Sequence, residues 1–325
     1  MRTPMAEAGV TVANPTSAKD LAIQAGFNQK VQLVDLYSSM GRVGKYRGIC
    51  YGDKVVGIGS PNYKCLSAEQ VLSVIDPLII AGQLNPNNAG ILRDGERMWI
   101  SSKLDTPPID VTGGGDIVNA NVLSVFDNTG RRADIHLLTT IRIACENTLE
   151  AAIRGRDKMV NAVRILHRGI DPVGRAEEAG QLFCEAVHTF ARWGDDAKFL
   201  ASVRYSRGEK NDFLNHLYPT KPDAKRDSAG TIREEIARLA EHGDGQGANS
   251  SATGTWWGLV NGVTQYLDHQ KSYRGIGNSD GQRRTSRQNN RFESTLLPSG
   301  GANKKKTKAF DLAYEFAERG NTSSY

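Results

Sequence analysis

The residues best suited to chemistry in this sequence are cations, and they are unevenly placed. Lys271, Arg274, Arg283, Arg284, Arg287 and Arg291 stand against the single acid Asp280, and Lys304, Lys305, Lys306 and Lys308 follow after an intervening Glu293. Lys and Arg without interleaved carboxylates have no local partner, so such a segment attracts a polyanion and releases its counterions on contact. The plainer reading is a solubilising tail. A second, looser set comprises Arg93, Arg97, Lys103, Arg131, Arg132 and Arg142, with Trp99 among them. On a strand, Arg97, Trp99, Ser101 and Lys103 share one face, where phosphate pairing and base stacking can follow a single nucleic-acid strand. A solvated sheet face with one core-packed Trp fits the same pattern.

Catalytic constellations are harder to assemble. The run Thr-Gly-Gly-Gly-Asp ending at Asp116 can expose amides to a phosphate, but no G-x-x-x-x-G-K-[ST] exists and no strand-loop-helix context surrounds it. A turn within a sheet is therefore its expected role. There is no G-x-S-x-G elbow. His136, His167, His188, His216, His242 and His269 form no H-x-x-x-H or H-E-x-x-H pair, so no metal centre is legible. Cys50, Cys65, Cys145 and Cys184 form no CxxC pair, which points to reduced, mostly buried thiols. Cys145 falls near a predicted helix start, where a thiol pKa drops; the blander role is a small buried residue where strand meets helix. A site uniting Asp116, Arg142, Cys145 and Asn147 is the enzymatic alternative, with no substrate attached. No cofactor is implied and no catalytic residue is assigned.

The elements that must carry these residues follow from periodicity and turn chemistry. A flexible lead over residues 1–15 precedes a short helix capped by Thr16 or Ser17 and stopped at Gly26. Glycine-cut apolar runs between Val31 and Ile58 read as strands. Ser67 and Gln70 have the spacing of a capping box, opening a helix that Pro77 kinks or ends. From Asn88 to Ala144 the pattern is an antiparallel meander with a hairpin at Asp94-Gly95; Ile135, Leu137, Thr139, Ile141 and Ile143 take one face of its last strand and His136, Thr140 and Arg142 the other. A helix is then predicted from an Asn147 cap through Val163. Ala179, Leu182, Phe183, Ala186, Val187 and Phe190 form a helical stripe ended by Gly194, and Ile232, Ile236 and Leu239 mark another helix. A small-residue loop leads into an aromatic helix from Trp256 to His269, whose rings read as core. Residues 272–290 are nearly devoid of apolar side chains and read as mobile, before a short helix at the C-terminal end.

The fold class expected is α+β: an antiparallel meander flanked by helices over residues 16–170, a mainly helical region over 171–270, and a flexible basic segment over 271–325. No apolar run approaches the roughly 18 residues of a bilayer span, and no secretory h-region opens the chain, so a cytoplasmic location without membrane contact is expected.

Several elements resemble a known family. Arg-Ile-Ala-Cys-Glu-Asn-Thr-Leu (Arg142 to Leu149) and Trp-Gly-Leu-Val-Asn-Gly-Val-Thr-Gln-Tyr-Leu-Asp-His (Trp257 to His269) are similar to the phage/plasmid-like proteins of a family of unknown function. Val55 to Gln70 and the Gly-Asp at Gly115-Asp116 support the likeness, which spans Tyr46 to His269 and whose signature falls on Arg142, Cys145 and Asn147. The resemblance implies a mobile-element origin and a bacterial host cell, with no established reaction. More remotely, the order helix, antiparallel strands, long helix from Ser67 to Leu166 resembles the core of single-strand annealing recombinases, including the phage Erf and Red-beta proteins. That likeness implies an oligomeric protein that holds single-stranded DNA along a basic groove. The expected partners are thus single-stranded nucleic acid and further copies of the chain; a host protein gripped by the basic segment is the alternative.

Overall fold

The computed structural model describes residues 4–132, 134–142, 146–148, 162–165, 172–220, 227–242 and 251–322. Residues 4–12 are seated on the fold where a flexible lead over residues 1–15 was expected. Helix α1 (Pro4–Ala8) buries Met5, and strand β1 (Val10–Thr11) pairs with the sheet at Ala89 and Asn88. One helical turn and a two-residue strand have too little length to show a period, so only their tertiary partners reveal them.

Helix α2 (Ala18–Gln24) begins where Ser17 Oγ accepts the amide of Asp20 at 3.2 Å and ends before Gly26, whose φ of +72° suits a glycine stop. Strands β2 (Val31–Ser38), β3 (Gly41–Tyr51) and β4 (Lys54–Gly59) form a three-stranded antiparallel sheet. The Ser67–Gln70 capping box is present at the start of α3 (Ala68–Leu72), and a second short helix, α4 (Asp76–Ile80), carries Pro77 in its first turn, where a missing N–H costs nothing.

The main sheet is antiparallel throughout. Its order is β1, β5 (Leu84–Leu92), β6 (Arg97–Leu104), β8 (Ile117–Asp127), β9 (Asp134–Arg142) and β10 (Glu146–Thr148), with β7 (Ile109–Asp110) on β8 and β11 (Ala162–Ile165) on β9. Four residues, Arg93 to Glu96, connect the paired Leu92 and Arg97, two more than the two-residue turn expected, with positive φ at Arg93, Asp94 and Gly95. The helix predicted from Asn147 to Val163 is replaced at both ends. Glu146–Thr148 and Ala162–Ile165 are strands paired to successive stretches of β9, and residues 149–161 lie outside the described residues. The edge of β9 presents a row of backbone donors and acceptors, and pairing them outweighs a local helical pattern.

Both faces of this sheet are buried. Met98, Ile100, Val122, Phe126 and Leu138 face the main core, while Trp99, Leu123, Val125 and Leu137 pack with Met5, Phe292, Leu296 and Leu297 on the other side. Of the side chains expected to face outward on β9, His136 is fully buried, with Ser124 Oγ 2.8 Å from its Nδ1.

The second half is helical: α5 (Pro172–Ser202), α6 (Arg207–Leu217), α7 (Ser228–His242), α8 (Trp256–Gln265) running into a π-turn at Tyr266–Gln270, α9 (Asp280–Leu296) and α10 (Gly301–Thr322). Gly194 does not end α5. A Cβ there would stand 2.3 Å from Ile109 Cδ1, so this glycine permits close approach to β7. The mobile basic segment is also corrected, because its residues build α9 and α10. Phe292 and Leu296 are the apolar anchors of α9, and Ala302, Ala309, Phe310, Ala313 and Ala317 seat α10, so the lysine cluster lies inside a long helix.

Candidate functional site

Helix formation sorts the predicted cations by what each can reach. Arg97 is mostly buried; its Nε donates to Asp127 Oδ2 at 3.1 Å and its Nη1 to Glu293 Oε1 at 2.7 Å. Arg93 grips the same Glu293 through two hydrogen bonds of 2.8 Å. Burial raises the Glu293 pKa, but the Arg93 hydrogen bond and the charges of Arg97, Arg93 and Arg132 outweigh it and hold the carboxyl below its ordinary value. Trp99 is fully buried with its ring 4.7 Å from that of Phe292, so it packs the core and is no stacking platform. The expected nucleic-acid face of β6 is thus the seat of α9. Lys103, Arg131 and Arg132 remain exposed, Arg132 reaching Ser299 Oγ at 3.4 Å, and Arg142 is described by its backbone alone.

Four cations of the C-terminal segment are likewise used internally. Arg291 pairs with Glu7, donates to the Asp268 carbonyl at 2.7 Å and contacts His269 Nδ1 at 3.3 Å. Lys306, 4% exposed, forms an ion pair with the fully buried Asp268. Lys305 donates to the Leu217 carbonyl at 2.9 Å and stands 4.1 Å over the Tyr218 ring, and burial lowers its pKa. Burial also lowers that of Lys271, which lies 5.2 Å from the Tyr273 ring.

The exposed cations of this segment stand on the N-terminal half of α9, in the loop before it and on α10. Ser279 and Gln282 form a capping box at the start of α9, and the preceding loop folds back on the helix: Ser286 Oγ accepts the Ile276 amide at 3.1 Å, and Asn290 Nδ2 donates to the Arg274 carbonyl at 2.7 Å. Arg274, Arg283, Arg284 and Arg287 are all exposed. Arg283 pairs with Asp280, whereas Arg284 and Arg287 have no acidic partner among the described residues. Lys304 and Lys308 are exposed on α10, Lys308 donating to the His216 carbonyl at 3.3 Å.

A second constellation, missed in the sequence because its parts are far apart, is a buried polar column along α8. Trp257 Nε1 donates to Asp116 Oδ2 at 2.7 Å, tying the glycine run to the aromatic helix. In that run the amides of Gly114 and Gly115 are taken by Thr112 Oγ1 and Asp110 Oδ2 at 3.3 and 2.9 Å, which makes it a sheet turn. Further along α8, Asn261 is 1% exposed with neither amide atom hydrogen-bonded, Thr264 Oγ1 donates to the Val260 carbonyl at 3.1 Å, and Asp268 holds Lys306. Strand β10, which carries Asn147, lies against α9 and α10, while Cys145 lies outside the described residues. Burial pushes the Cys65 thiol up, so it is no ready nucleophile. Among the described residues no three His, Cys, Asp or Glu side chains converge for a metal ion. A crevice of about 430 Å³ between α6 and α7 contains Lys210 and Arg233, which pair with Glu241 and Asp227 at 2.9 and 3.4 Å.

Two antiparallel sheets in the first part of the chain and helices in the second define an α+β protein, and no described helix is long and apolar enough to cross a membrane. Residues 55–293 match the family described as Domain of unknown function (DUF932), well over half of the chain, and the protein belongs to that family. The match ends at Glu293, so the exposed arginines of α9 belong to the family domain. No curated protein and no solved structure matches the chain.

Proposed function

We propose that this DUF932 member is a non-catalytic protein of a mobile element that binds single-stranded nucleic acid through its phosphates, with DNA annealing as its activity. The observation that carries this reading is the exposure of Arg284 and Arg287 on α9 without an acidic partner among the described residues, beside Arg274 and Arg283. Guanidiniums fixed on a packed helix hold a constant spacing, pair bidentately with phosphate and lose less rotamer freedom on binding than those of a loose tail. Annealing brings two strands together, so the active form is an assembly of several copies.

Fluorescence-anisotropy titration of labelled oligo-dT and of a duplex, at low and high salt, tests the reading, with light scattering on the same preparation. The expected result is binding of oligo-dT by an assembly larger than one chain, weakening steeply with salt. Four phosphate contacts correspond to a log–log slope of roughly −3 on a single strand. Absence of binding to either oligonucleotide would overturn the proposal.

A further inference from the structure

The three-stranded sheet carries a second exposed surface that the cations of α9 do not explain. β4 pairs with β3 only from Arg47 to Tyr51, so among the described residues the ribbon of β2 and β3 beyond that point has no third strand. Its side chains are unusual for a wet surface: Met40 at the tip is 97% exposed, Tyr37 72% and Tyr46 46%. Tyr37 stands across from Arg42, and Lys45 Nζ lies 5.8 Å from the centroid of the Tyr46 ring. Arg42 and Arg47 share one carboxylate, Asp35, at 3.0 and 2.9 Å, so with Lys45 the ribbon is net positive. Gly44 lies in the irregular stretch where residues 43–46 of β3 stand opposite the single Leu36 of β2, between the pairs Asp35–Arg47 and Tyr37–Arg42, and among the described residues a Cβ there would meet nothing within 4 Å. Glycine in a strand interior marks such a bulge, and it leaves bare backbone beside Lys45 and Tyr46.

We infer that the β2–β3 ribbon is a base-contacting arm for single-stranded nucleic acid, with Tyr37 and Tyr46 stacking on bases while Arg42 and Lys45 meet phosphates. This rests on the reading under Proposed function and adds a base-dependent contact to it. Aromatic rings beside cations match the alternation of base and phosphate along an unpaired strand. A second copy of the same ribbon is the poorer occupant, because two net-positive arms repel. The β5–β6 turn links this sheet to the anchored end of α9: Asp94 pairs with Lys54 of β4 at 3.1 Å, and the neighbouring Arg93 holds Glu293 of α9 at 2.8 Å.

The test compares oligo-dT with an abasic oligonucleotide of equal length, for the wild-type chain, Tyr37→Ala/Tyr46→Ala and Tyr37→Phe/Tyr46→Phe. The wild type is expected to prefer oligo-dT by tenfold or more. The alanine variant loses that preference but keeps its abasic affinity and salt slope, and the phenylalanine variant retains it. Equal binding of both oligonucleotides by the wild type, or unchanged oligo-dT affinity in the alanine variant, overturns the arm while leaving the α9 contact standing. If the alanine variant instead lowers the assembly mass at unchanged affinity, the ribbon joins copies of the chain and the inference is wrong. Failure of the wild type to bind either oligonucleotide defeats the reading on which it rests.

Discussion

The two halves of α9 carry the same residue type to opposite ends. In the C-terminal half, Arg291 reaches Glu7 and the Asp268 carbonyl, Glu293 takes Arg93 and Arg97, and Phe292 lies against Trp99. In the N-terminal half, Arg284 and Arg287 point to solvent with no carboxylate to neutralise them among the described residues. One helix therefore holds a neutralised anchor and an unneutralised surface. The acid within reach, rather than the local density of arginine, decides whether a guanidinium builds the fold or remains available to a ligand.

That contrast breaks first at the anchor. Asp268→Ala leaves the Lys306 ammonium buried without its carboxylate and is expected to cost about 3–5 kcal/mol in urea unfolding. Joint replacement by Asp268→Leu and Lys306→Met recovers most of the loss, and a single variant as stable as wild type would show the pair to be solvated. Phe292→Ala, which empties the contact with Trp99, is expected to cost about 3–5 kcal/mol and to expose Trp99 fluorescence to quenchers. Glu293→Gln removes the charge that holds Arg93 and Arg97, a loss of about 1–3 kcal/mol.

The same carboxylate sets a pH dependence. Its folded pKa is depressed below the ordinary 4.5, so its stabilisation is complete above that value and fades as pH falls through the lower folded one. Urea midpoints measured downward from pH 5 fall more steeply in the wild type than in Glu293→Gln; parallel curves would remove Glu293 from the anchor. The smallest stability effect belongs to the exposed half, where Arg284→Ala and Arg287→Ala stay within about 0.5 kcal/mol of the parent.

Much of the fold was legible where the signal is local. Ser17, the Ser67–Gln70 capping box, the turn at Asp94-Gly95 and the aromatic run that opens the fully buried α8 all depend on neighbours a few residues apart. What failed depends on distant partners. Alternation along β6 places Arg97, Trp99 and Lys103 on one face; Lys103 is exposed, but at Arg97 and Trp99 that face is dry because α9, about two hundred positions on, lies over it. α9 itself reads as mobile because only two of its buried positions, Phe292 and Leu296, are apolar; its capping box at Ser279 and Gln282 was the overlooked signal. For the candidate site, the exposed Arg283, Arg284 and Arg287 were named from sequence. The internal roles of Arg97, Arg291, Lys305 and Lys306 were not, since each partner lies far along the chain.

If the exposed half of α9 meets phosphate, its arginines set the salt dependence of oligo-dT affinity. In Arg284→Ala/Arg287→Ala the log–log slope should become shallower by roughly 1.4, two contacts at about 0.7 each, with thermal stability unchanged. An unchanged slope and affinity in that variant would show that α9 does not meet phosphate and leave these arginines as a solvated helix face.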